Sequence, residues 1–146
     1  MTDIRLERGI HAPRDWVVHA WCDPELLAQW FCPNPSTSVR AELDVDPNGF
    51  WKVAMGTAVV RGEYTEVRLP DVLAFTWQWE HEPEVPPTTV KVTFGRRSEN
   101  STEVLLEHLD FQNEAEAQAH YEGWAITLDR LAQMIQSHVS GYSWRT

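Results

Sequence analysis

The chain has 146 residues, 42% hydrophobic and 23% charged, the proportions of a globular protein that one core can serve rather than of a disordered one. Its net charge of −10 sets aside a nucleic-acid footprint or an anionic membrane surface as partner, since both call for clustered cations. No apolar run is long enough to span a bilayer, and the opening MTDIRLERGI lacks the basic-then-apolar order of an export signal. A cytoplasmic protein is expected, in which the sequon at Asn100-Ser101-Thr102 stays unmodified.

Ile4, Leu6 and Ile10 alternate with Arg5 and Glu7, the two-residue period of a half-buried strand. Pro13 then opens a short helix to about Ala20, because the first helical position does not need its missing N–H. Asp23-Pro24-Glu25 repeats the device with an acidic cap and predicts a second short helix from Pro24 to about Trp30. The segment Ala12–Pro33 holds Trp16, Trp21 and Trp30 together with both cysteines, Cys22 and Cys32. In a reducing compartment a Cys22–Cys32 bond is not expected. Zinc would need two further ligands, and His19 alone stands close by. Both thiols are therefore read as free, with no metal and no cofactor.

Strands separated by turns follow at Val39–Leu43, Phe50–Met55, Val59–Leu69, Val72–Trp79, Thr88–Arg96 and Thr102–Phe111. The breaks are DPNG, Gly56, Leu69-Pro70-Asp71, EHEPEVPP and RRSENS. Hairpin-length connections predict an antiparallel meander. Asn113-Glu114-Ala115-Glu116 is a capping box that opens a long helix to about Ser137. Tyr121, Trp124, Leu128, Leu131 and Ile135 give it one apolar stripe. The expected architecture is α+β, one domain over residues 1–146: a curved antiparallel β-sheet wrapped around a long C-terminal α-helix, with two short helices after the first strand. That is the helix-grip fold.

The same residues resemble a family. APRDWVVHAWCDPELLAQWFCP, DVDPNGFW, VRGEYTEVRLPDVLAFTW, TTVKVTF, STEVLLEHLDF and YEGWAITLDRLAQMI follow, in order, the pattern of the proteins similar to the activator of the heat shock protein 90 ATPase. These belong to the START-like (SRPBCC, Bet v 1-like) superfamily. Two positions depart from it: Asn48-Gly49 stands where a Gly-Gly pair is common, and Val18 where an aromatic is common. The resemblance implies an apolar cavity between sheet and long helix. It leaves the task open, because the superfamily spans lipid carriers, receptors, cyclases and co-chaperone domains.

Strand parity nominates the residues that face such a cavity. Leu73, Phe75, Trp77 and Trp79 share one face, as do Val90, Val92 and Phe94, and Val104, Leu106 and His108. With Trp30, Phe50, Tyr64, Tyr121, Trp124 and Leu128 they make either an aromatic-lined pocket or a filled core. His108 and Tyr64 read as hydrogen-bonding core residues or as an acid/base pair. Arg8 reaches either solvent or a carboxylate in the cavity, and Glu66 reads as a solvated strand residue.

No nucleophile elbow, phosphate loop, zinc motif or dinucleotide fingerprint is present in the sequence, so no catalytic residue is assigned. The resemblance favours binding of a small hydrophobic or amphipathic molecule. The alternatives are a cyclase or dehydratase using the same cavity, and a co-chaperone-like module whose partner is a chaperone or another protein. Monomer and homodimer both remain open.

Overall fold

The computed structural model describes residues 2–141. Chain order gives β1 (Thr2–Ile10), α1 (Arg14–Cys22), α2 (Pro24–Leu27), β2 (Val39–Leu43), β3 (Phe50–Met55) and β4 (Ala58–Arg68). It continues through β5 (Val72–Trp79), β6 (Thr88–Ser98), β7 (Ser101–Phe111) and α3 (Glu114–Gly141). All seven strands form one antiparallel sheet in the order β1-β7-β6-β5-β4-β3-β2. The sheet is open and curved, and the expected grip of a long helix is present.

Local chemistry sets the element ends. The Asp23 carboxylate accepts from the Glu25 and Leu26 N–H groups at 2.9 and 3.1 Å, starting α2 immediately after α1. The Asn113 side chain accepts from Glu116 N–H at 2.8 Å and starts α3. In the β2–β3 turn, Asn48 takes a φ of 67°, a left-handed conformation that asparagine tolerates. A Cβ on Gly49 would meet the Asp44 carbonyl oxygen at 2.0 Å. The departure from a Gly-Gly pair is thus confined to the position where a side chain fits.

β1 and β2 lie on opposite edges of the sheet, so the connection through α1 and α2 crosses its inner face. α1 packs on β6, β7 and α3, and α2 on β2. This buries Val17, Val18, Trp21, Leu27, Trp30 and Phe31 beneath the crossing. From above, α3 contributes Ala117, Trp124, Leu128, Leu131 and Ile135. It packs along β1 and β7, pinned there by Arg8, whose guanidinium donates to Asp129 at 2.9 Å and to the Ala125 carbonyl. Arg8 therefore meets a carboxylate at the edge of the helix and does not enter the interior.

Two expected orientations are corrected. Phe50 points to the outer face and is 52% exposed, while its neighbour Trp51 is buried and donates to the Thr76 carbonyl at 2.9 Å. Tyr121 is 41% exposed: the apolar stripe of α3 runs through Ala117, Trp124 and Leu128, which leaves Tyr121 on its flank.

Candidate ligand cavity

α3 leans over the β1–β7 side, and the opposite half of the inner face is filled by aromatic rings. Phe31, Trp51 and Trp77 contact one another with centroids 5.6–6.3 Å apart. Between these rings and the first turns of α3 a cavity of ≈ 270 Å³ remains. Trp77 and Trp79 of β5, Met55 of β3, and Phe31, Cys32 and Pro33 after α2 form its floor and one side. Ala119, His120, Gly123, Trp124 and Thr127 of α3 form the other. No Lys, Arg, Asp or Glu lines it.

Two histidines are fixed by tryptophans of the wall. An indole N–H only donates, so Trp124 Nε1–H, 3.0 Å from His108 Nδ1, requires that nitrogen to be the acceptor. The proton then sits on His108 Nε2 and is donated to Thr88 Oγ1 at 2.7 Å; the hydroxyl in turn faces the Trp77 carbonyl at 3.4 Å. By the same reasoning Trp79 Nε1–H donates to His120 Nε2 at 3.1 Å, and His120 Nδ1–H donates to the Glu116 carbonyl at 2.8 Å. Both imidazoles are neutral in this arrangement, because an imidazolium has two donors and no acceptor. Burial, with His120 nearby, holds the His108 pKa well below its ordinary value.

The other expected site residues fall into two groups. Trp77, Trp79 and Trp124 border the cavity. Tyr64, Phe75, Val92, Phe94, Leu106 and Leu128 are packed in the core without reaching its wall, and His108 lies behind Trp124. Trp30, expected to be the ligand-facing member of the first stretch, is 0% exposed; it donates to the Ala20 carbonyl and meets Trp21 edge-on at 4.6 Å. Burial, with the charges of Cys22 and Asp44, pushes the Tyr64 hydroxyl pKa up. A Cβ added at Gly123 would have nothing within 4 Å; the residue borders open space. Sequence reasoning missed Phe31, Met55, His120 and Thr127. His120 was hidden because a polar helix residue reads as an outer one.

Both cysteines are free, and no group of residues able to hold a metal occurs among the described residues. Burial pushes the Cys22 thiol up to about 11. Thiol titration of denatured, unreduced protein should count both cysteines. Native Cys22 should be alkylated slowly at pH 8, where little of it is thiolate. Titration of fewer thiols until a reductant is added would contradict the free state.

A curved antiparallel sheet gripping one long helix over an aromatic-lined cavity is the helix-grip architecture. The chain belongs to the family of Activator of Hsp90 ATPase homolog 1-like proteins, whose sequence profile matches residues 11–136. Solved structures share the fold. A protein of Nitrosomonas europaea is 23% identical with a TM-score of 0.77, over 94% of this chain and 96% of that one. An HSP90 activator of Plasmodium falciparum is 23% identical with a TM-score of 0.66, over 78% and 76%. DynU16, from the dynemicin biosynthetic locus, is 22% identical with a TM-score of 0.80, over 93% of this chain and 48% of its own. No functionally curated protein matches the sequence. No helix among the described residues is long and apolar enough to cross a membrane.

Proposed function

We propose that the chain binds a small hydrophobic or amphipathic molecule in the cavity between β5, α3 and the segment after α2. The observation that carries this reading is a concave, aromatic-walled space of ≈ 270 Å³ that no Lys, Arg, Asp or Glu lines. Ligand sites are typically concave, apolar and sparsely polar.

The acid/base alternative loses support from its own two residues. Both nitrogens of His108 are engaged and its proton affinity is lowered. Tyr64 lies off the cavity wall, its hydroxyl harder to ionise than usual. The interaction-module alternative calls for an exposed apolar patch. The large exposed hydrophobics among the described residues are spread over β3, the β4–β5 turn and α3, as Phe50, Leu69, Tyr121 and Ile126. The likenesses to an HSP90 activator and to DynU16 are likenesses of fold and choose neither way.

Gly123→Leu provides the test. Gly123 borders the cavity with nothing within 4 Å of an added Cβ, so the new side chain enters that space without a clash, and replacing a mid-helix glycine should stabilise the protein by about 0.5–1 kcal/mol. N-phenyl-1-naphthylamine, an uncharged apolar dye, should quench the tryptophan emission of the native chain saturably. The variant should melt at or above the native temperature and bind the dye at least tenfold more weakly. Saturable binding unchanged in the variant would move the ligand elsewhere, and no saturable binding by the native chain would end the proposal.

A further inference from the structure

The two walls of the cavity are held in different ways. The α3 wall belongs to a long helix packed along β1 and β7. The facing wall, Phe31, Cys32 and Pro33, lies in the irregular segment between α2 and β2. Backbone bonds shape that segment only locally: Phe31 N–H donates to the Leu27 carbonyl and Cys32 N–H to the Trp30 carbonyl. Pro33 has no N–H to offer. The Phe31 ring is fixed by the core, against Trp51, Trp77 and Trp124. Past Cys32 the chain is exposed from Pro33 to Ser36.

Arg130 crosses from α3 to the backbone of this segment. It donates from Nη1 to the Cys32 carbonyl and from Nη2 to the Gln29 carbonyl, the latter at 3.1 Å. Among the described residues neither carbonyl accepts from a backbone N–H, and Arg130 forms no ion pair. A planar guanidinium suits this task, since its fork holds two acceptors at a fixed spacing. Gly123, Thr127 and Arg130 follow one another at helical steps along α3, so the fork stands at the end of the stripe that lines the cavity. His138 also reaches Gln29, through the side-chain oxygen at 3.2 Å, but Gln29 does not line the cavity. The bond to Cys32 is the one that meets a lining residue.

Resting on the binding reading above, we infer that Arg130 is a positioning residue of the cavity: its fork holds the Cys32–Pro33 rim against α3, and a ligand binds to the rim so held. A rim that spends time detached lowers the fraction of molecules competent to bind, and the apparent affinity falls by that fraction. No contact between Arg130 and the ligand is required.

Two readouts on Arg130→Met test this, a change that keeps much of the side-chain stem and removes the fork. The first is tryptophan quenching by N-phenyl-1-naphthylamine. The second is alkylation of the folded protein by iodoacetamide, with Cys32 and Cys22 counted separately by peptide mass. Cys32 should react about 5- to 10-fold faster in the variant, the worth of one hydrogen bond, and Cys22 at its native rate. Loss of a nearby cation disfavours a thiolate, so a faster reaction at Cys32 reports access. Dye affinity should fall by a similar factor. Arg130→Lys, whose ammonium can serve a carbonyl but presents no fork, should lie between. It decides by the same comparison should Arg130→Met fail to fold. An unchanged Cys32 rate, or equal acceleration of both thiols, would overturn the inference, the latter because it marks general loosening. Faster reaction at Cys32 with unchanged dye affinity would overturn the role in binding while leaving the binding reading intact. Absence of saturable quenching in the native chain would overturn the binding reading and this inference with it.

Discussion

Replacement of Trp124 by alanine should destabilise the protein by about 3–5 kcal/mol, the range for truncating a large buried aromatic. The indole packs against Trp21, Phe31 and Trp77 with centroids 6.3, 5.5 and 5.3 Å away. Its loss would remove dispersion contacts from three rings and enlarge a cavity that the fold already maintains. It would also deprive His108 Nδ1 of its donor. Trp124→Phe separates these contributions, since it retains most of the packing and removes the N–H; its cost should be about 1–2 kcal/mol. Urea unfolding of both variants measures the two values. A loss below about 1 kcal/mol for Trp124→Ala would contradict the burial described for this residue.

Acid should weaken the fold well before its carboxylates titrate. His108 is neutral in the native state, with a pKa held well below the 6.5 of an ordinary histidine by burial and by His120. The unfolded chain therefore binds more protons than the native one once the pH falls below about 6.5. The contribution of His108 is constant above that value. Below it, this group removes up to about 1.4 kcal/mol for each pH unit until native His108 itself protonates. His108→Gln can still accept from Trp124 and donate to Thr88, but it does not titrate. Unfolding free energies measured from pH 8 to pH 5 at constant ionic strength should fall for the native chain and be flatter for the variant. Equal slopes would mean that His108 is not held neutral.

Much of the fold was legible because its signals are local. β2, β3 and β5 occupy the spans that alternation and turn residues mark, Val39–Leu43, Phe50–Met55 and Val72–Trp79. Both helix caps form at the expected side chains, Asp23 and Asn113. The site was less legible, because its outline depends on choices between adjacent residues. Phe50 and Trp51 compete for one inward position. Lys52, which shares the face of Phe50, already favours Trp51, and the structure buries Trp51 and Val53. His120 and Tyr121 compete in the same way at the start of the α3 stripe. Hydrophobicity favours the tyrosine. The histidine takes the inner place, where it serves as acceptor for the Trp79 N–H. That pairing of a polar helix residue with a strand indole leaves no trace in the hydrophobic periodicity.

The edge position of β1 has a consequence for biosynthesis. Its one neighbour in the sheet is β7, with Ile10 opposite Thr102, so β1 cannot be zipped in until β7 has been made. The contacts that complete the sheet join distant parts of the polypeptide, and such high contact order slows folding. During translation the crossing segment, with Trp21 and Trp30, emerges long before the β6–β7 hairpin and α3 that will cover it. The nascent chain thus exposes these aromatic side chains until β6, β7 and α3 have followed, an interval in which aggregation is readily seeded.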